Sequence, residues 1–192
     1  MLCKTVSVFH HRFIRPAIAI AAFVAVAAAI AAAVVLITRG PGPSLGAAAR
    51  LVLKRPTGPA PRVASDLYLK VSFGGVTFPN YQRMNAVATG QIRNKIGGRA
   101  AVTVLYRLKG GQRLSYTVLS GDPVKPPLTA QRANFQGVGM RVFRTAGLTV
   151  ATLVRHGRTT VLAGPAPEDT VLGFAAEPVL APAGSPDLVT SG

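Results

Sequence analysis

The sequence predicts an α+β or mostly β protein, with one transmembrane helix followed by a small antiparallel sheet domain and a C-terminal helix. Three observations predict it. Pro16 to Thr38 runs for 23 residues without a charge. Between Ala100 and Ala163, short runs rich in Val, Leu and Thr alternate in the manner of strands and are divided by glycine turns. Pro167 is followed by Glu168 and Asp169, residues that suit the first turn of a helix.

At about 1.5 Å rise per residue, a helix over residues 16–38 spans roughly 34 Å, enough to cross a bilayer core. The leader, residues 1–15, is basic through Lys4, Arg12 and Arg15. The apolar run is longer than a usual signal core and continues unbroken through Val34, Val35, Leu36 and Ile37, so it reads as an anchor and not as a cleaved signal. Ala17, Ala21, Ala25, Ala29 and Ala33 fall at intervals of four, a small-residue ridge that would let two such helices self-associate. Alanine fills 11 of the 23 positions, so some ridge of this kind is nearly unavoidable.

Residues 39–62 hold five prolines and four glycines and read as a basic linker, locally stiffened toward polyproline II. Ser44 to Arg55 could form one or two helical turns there, but plain spacing is the expected role. Residues 63–176 form the expected folded domain, and residues 177–192, rich in Pro, Ala and Ser, read as a disordered tail.

Inside the domain, Ala100–Leu108 places Val102, Val104, Tyr106 and Leu108 on one face. After the turn Lys109-Gly110-Gly111, Gln112–Ser120 turns Leu114, Tyr116 and Val118 inward, which makes a hairpin. Gly139–Arg144, Leu148–Arg155 and Arg158–Ala163 are separated by turns at Thr145-Ala146-Gly147 and His156-Gly157, a meander that is antiparallel by construction. Asp66–Phe73 reads as a further strand and Thr89–Arg93 as another. Val171, Leu172 and Phe174 of the final helix then dock on the sheet.

Charge narrows the partners. Lys and Arg total 22 against 6 acids, a net of +16. Such a field attracts polyanions: anionic lipid, wall polymers or nucleic acid. Nucleic acid is not expected, because Tyr106 and Tyr116 share the inward hairpin face and a stacking platform needs exposed rings. Arg93, Lys95, Arg99, Arg107, Lys109, Arg113, Arg141, Arg144, Arg155 and Arg158 are the residues that such a surface would use.

No catalytic, cofactor-binding or metal-ligating residues are assigned, and no enzyme activity or cofactor is expected. His156 is the domain's single histidine and precedes a glycine in a turn. Glu168 and Asp169 suit a helix start, and Asp66 and Asp122 flank strands. Gly97-Gly98 and Gly110-Gly111 sit at turns and not in a phosphate loop. The lone Cys3 excludes an intrachain disulfide and a cysteine-rich zinc site.

Several segments recur in a recognisable order: Phe78-Pro79-Asn80-Tyr81, Gly98-Arg99 ahead of Ala101–Tyr106, Leu114–Gly121, Val150–Arg155 and Thr159–Leu162. Over roughly Val63 to Ala176 the chain resembles the extracytoplasmic domain of bacterial membrane-bound anti-sigma-factor-like proteins. The resemblance implies an envelope sensor or regulator that acts by protein–protein or ligand binding. Placed in the bacterial cytoplasmic membrane as a single-pass protein, the chain would have its amino terminus inside and its domain outside, since a large domain after a first helix translocates largely regardless of flanking charge. Two departures stand out. Leu153 and Thr160 occupy positions where the pattern often carries tryptophan and cysteine, and the zinc-associated anti-sigma module is absent. A separate regulatory protein is therefore the expected partner, beside the membrane itself. The alternative is a structural or polyanion-binding envelope module with no signalling role.

Overall fold

Five two-residue turns set the geometry of this chain. Gly74-Gly75, Gly97-Gly98, Gln136-Gly137, Ala146-Gly147 and His156-Gly157 each place both residues at positive φ. That is the backbone twist which lets a two-residue loop join right-twisted strands. The computed structural model describes residues 44–180. Within them, α1 (Leu45–Ala49) continues into a 3-10 turn (Arg50–Leu53), and the strands β1 (Tyr68–Phe73) and β2 (Val76–Pro79) form a separate hairpin. After a second 3-10 turn (Tyr81–Met84) come β3 (Ala86–Ile96), β4 (Arg99–Leu108), β5 (Arg113–Leu119), β6 (Gln131–Phe135), β7 (Val138–Thr145), β8 (Leu148–Arg155), β9 (Arg158–Gly164) and α2 (Glu168–Leu180).

Strands β3 to β9 make one antiparallel sheet in the order β3-β4-β5-β9-β8-β7-β6. Two meanders, β3-β4-β5 and β6-β7-β8-β9, are thus joined at their last strands, with Ser115 opposite Ala163 and Thr117 opposite Val161. The strand β3 is long and bulged between Ala88 and Gly90. Gly90 permits a close crossing, since a Cβ there would collide with the ring of Pro56. The chain just beyond that proline pairs with the edge of β3, through Gly58 and Gln91.

Each face of the sheet has its own core. One face carries Val102, Val104, Tyr106, Tyr116, Val118, Ala151 and Leu162, covered by the β1–β2 hairpin and by Val171, Leu172 and Phe174 of α2. An aromatic layer knits it. Phe78 meets Tyr116 edge-on at 5.6 Å, and Tyr81 lies 4.9 Å from both Tyr106 and Phe174. The Tyr106 hydroxyl donates to the Pro79 carbonyl at 2.8 Å and the Tyr81 hydroxyl to the Phe174 carbonyl at 2.5 Å. Burial pushes both phenols well above their ordinary range. The opposite face carries Ala101, Leu105, Leu119, Val150, Val161 and Ala163, covered by Leu45, Ala48, Ala49, Leu51 and Val52.

These findings correct the expected architecture. Among the described residues no helix is long and apolar enough to cross a membrane. The longest, α2, has 13 residues, about 20 Å at 1.5 Å each, and it carries two acids at its start and Pro178 inside. Over the described residues the protein is mostly β, a seven-stranded antiparallel sheet with a C-terminal helix, and no membrane-spanning helix is among them. Residues 16–38, where that helix and its alanine ridge were expected, lie outside the described residues, as do residues 1–15 and 181–192.

The spacer reading of residues 39–62 is also revised where they are described. Ser44 caps α1 by accepting from the Ala47 N–H, and Leu45, Ala48, Ala49, Leu51 and Val52 are buried in the second core. The cause is the sheet itself, whose second face offers small and apolar residues to any short apolar helix that reaches it. At the other end, Glu177 to Leu180, expected in a disordered tail, are the last residues of α2.

Candidate functional site

The second face of the sheet is only partly covered by α1. One row of side chains crosses all seven strands on this face: Ile92, Thr103, Thr117, Val161, Thr152, Arg141 and Arg132, each paired with the next. At the β3 end, Ile92 joins the core, and the Thr103 and Thr117 hydroxyls share a buried hydrogen bond of 2.8 Å. At the β6 end the row finishes in two arginines directly opposite one another. The face thus passes from a dry core to a cationic edge within one row.

Over that edge runs the connection from β5 to β6, residues 120–130. Its root is clamped from below. Arg99 donates to the Asp122 carbonyl, Arg158 donates to the Gly121 carbonyl at 3.0 Å, and the Thr159 hydroxyl accepts from the Val124 N–H at 2.7 Å. Pro123, Pro126 and Pro127 have no N–H to give, so this strap cannot add to the sheet as another strand. It stands off instead, and a groove of about 820 Å³ opens between it and strands β6 to β9. That volume lies within the range of small-molecule sites. Pro123, Val124, Pro126 and Val154 give it apolar walls; Asn134, Thr152 and Thr159 supply neutral polar groups. Lys125, Arg132 and Arg141 line it too, and no acidic side chain does.

The arginines of the sheet divide by what they touch. Arg113 donates to the Lys54 carbonyl at 3.2 Å, and Arg155 donates to the Tyr116 hydroxyl at 2.8 Å and to the Pro178 carbonyl at 3.4 Å. Together with Arg99 and Arg158 these are structural clamps, so the basic residues singled out for a nucleic-acid surface do not act as one set. Two further pairs face each other across the ladder, Arg107 with Arg113 and Arg155 with Arg158, and at least one member of each donates to a protein acceptor. Among the described residues neither Arg132 nor Arg141 has such an acceptor, although like charges directly opposite are mutually destabilising.

Of the residues weighed from sequence, Tyr106 and Tyr116 are buried on the far face and His156 lies in a turn at φ 47°. Glu168 and Asp169 open α2. Among the described residues no three His, Cys, Asp or Glu side chains gather as a metal site would require. The groove was missed because β6 reads QRANF, short and polar, with no alternation to announce a strand. Only its register against β7 brings Arg132 to Arg141. A signal did exist in Asp122 to Pro127, where three prolines between two strand-like runs mark a stiff strap.

The segments that carry the resemblance are largely packing and clamping residues: Phe78 and Tyr81 in the aromatic layer, Asn80 capping the second 3-10 turn, and Arg99 and Gly121 at the root of the strap. Comparison with protein-family models finds no match, and comparison with curated proteins finds none either.

Proposed function

We propose that this chain is a binding protein of the bacterial envelope, an anti-sigma-factor-like sensor whose domain takes up an anionic ligand and passes the event to a separate protein partner. The observation that carries this reading is the groove under the strap, lined by three cations and no acid. A concave site with converging donors and apolar walls is suited to holding a ligand. Its arginines supply the forked geometry that carboxylate and phosphate groups match. The resemblance over residues 63–176 supports the regulatory role and the position outside the cytoplasmic membrane.

The test is placement. Reporters active only outside or only inside the membrane are fused after Gly192, beyond α2 so that the helix remains whole. Activity of the outside reporter is the expected result. Activity of the inside reporter overturns the envelope reading and makes a cytoplasmic polyanion the partner to pursue.

A further inference from the structure

The groove has two unlike halves, and together they describe one kind of molecule. Arg132 and Arg141 sit directly opposite each other on β6 and β7, with Cβ atoms about 5 Å apart by the geometry of paired strands. Two guanidinium groups so placed can close on a single tetrahedral anion, each offering two N–H groups. Arg132 is exposed and Arg141 half-buried, so a ligand reaches both without displacing the fold. Lys125 approaches from the strap and adds a third positive charge.

The other half is apolar and uncovered. Val154 remains 57% exposed, whereas Val150 and Val161, its neighbours on this face, are fully covered. Its cross-strand neighbour Thr159 is committed to the strap through Val124, which holds the apolar wall in place above the floor. An inorganic anion would satisfy the arginines and leave this wall wet. A neutral apolar molecule would cover Val154 and leave two like charges facing each other.

We infer that the groove binds an alkyl phosphate, a molecule of the headgroup-plus-chain type, with its phosphate between Arg132 and Arg141 and its chain along Val154, Val124 and Pro126. This ligand class rests on the binding reading above. The phosphate is the shared chemistry of a lipid headgroup and of free phosphate; the chain distinguishes them.

The test titrates the full chain, held in uncharged detergent, with inorganic phosphate, hexyl phosphate and hexyl glucoside, read by calorimetry. Hexyl phosphate is expected to bind at least tenfold more tightly than inorganic phosphate, and hexyl glucoside not to register. The double variant Arg132→Gln, Arg141→Gln should lose at least tenfold of the hexyl phosphate affinity with its melting temperature retained. Val154→Ser should weaken hexyl phosphate and leave inorganic phosphate unchanged. Equal affinity for the two phosphates overturns the proposal in favour of a free anion. Affinity that the double variant retains overturns it outright, and the Val154→Ser result decides the point if the double variant does not fold. The reporter experiment fails separately, because placement inside the cell removes the envelope reading while the titration still decides the ligand.

Discussion

Ala146 adopts φ 50° at the first position of its two-residue turn, a conformation that costs an L-residue with a Cβ roughly 1–2 kcal/mol. Ala146→Gly is therefore expected to raise stability by about 0.5–1 kcal/mol once the backbone entropy of glycine is subtracted. A denaturant midpoint measures it, and an unchanged or lower midpoint would contradict the turn geometry. Glu177 offers a second test at this scale. Half-buried near the end of α2, its carboxyl is raised above the ordinary value chiefly by desolvation, against the opposing pull of Arg83 and Arg155. A raised folded value means that the folded protein holds the proton more tightly than the unfolded chain. That contribution is complete below the ordinary carboxyl range and is lost as pH rises through the raised value. Glu177→Gln should consequently melt higher than the parent at pH 7, with the difference vanishing near pH 4. A variant that melts lower at pH 7 would show that Arg83 and Arg155 outweigh burial. Turn residues such as Gly147 and Gly157 were readable in the sequence because backbone freedom is a property of the residue itself. The Arg132–Arg141 pair was not, because opposition across a ladder belongs to register.

The short segment α1, whose one or two turns the sequence allowed within Ser44 to Arg55, shows how the burial of an element can be hidden by its brevity. Five helical residues complete little more than one turn, too few for an apolar stripe to be told from chance. Flanking prolines then make the surroundings look like a spacer. The stronger signal lay elsewhere, in β4 and β5. Their second faces hold Ala101, Thr103, Leu105, Ser115 and Thr117, with no charge until Arg107 and Arg113, which is the composition of a sheet buried on both sides. Leu51→Ala discriminates between the two roles. As part of a spacer the change would be neutral. As a residue only 2% exposed in the second core, it should cost roughly 2–5 kcal/mol, read from equilibrium unfolding. The hairpins β4–β5 and β7–β8–β9 were legible because alternation and glycine turns are local properties. By contrast, β2 and β6 have four and five residues, below the length at which alternation registers.

For the whole molecule, charge is the strongest influence outside the cores. A net of +16 on 192 residues favours expansion, and salt screens that repulsion. The melting temperature is expected to rise as sodium chloride increases from about 10 mM to about 150 mM, where the screening length shortens from roughly 30 Å to about 8 Å. A flat response would mean that the cations stand too far apart for their repulsion to affect stability. The overall architecture was the part least open to sequence reasoning. Each meander follows from local pattern, but their junction brings Ser115 to Ala163 across 48 residues, and no periodicity encodes a contact of that range. The partial cover of the second face, which leaves the groove, depends on that junction as well.

The same junction imposes an order of events in the making of this protein. Strand β5, whose residues Leu114 to Leu119 are all buried, leaves the ribosome well before the β9 residues that will pair with it. During that interval the first meander exists with one long, apolar, hydrogen-bonding edge and nothing beside it. Such edges recruit other chains, and nonlocal pairings close slowly. Chains halted before Arg158 should accumulate in aggregates while full-length chains do not, which makes synthesis of the last strand the moment at which this protein ceases to be a hazard to its neighbours.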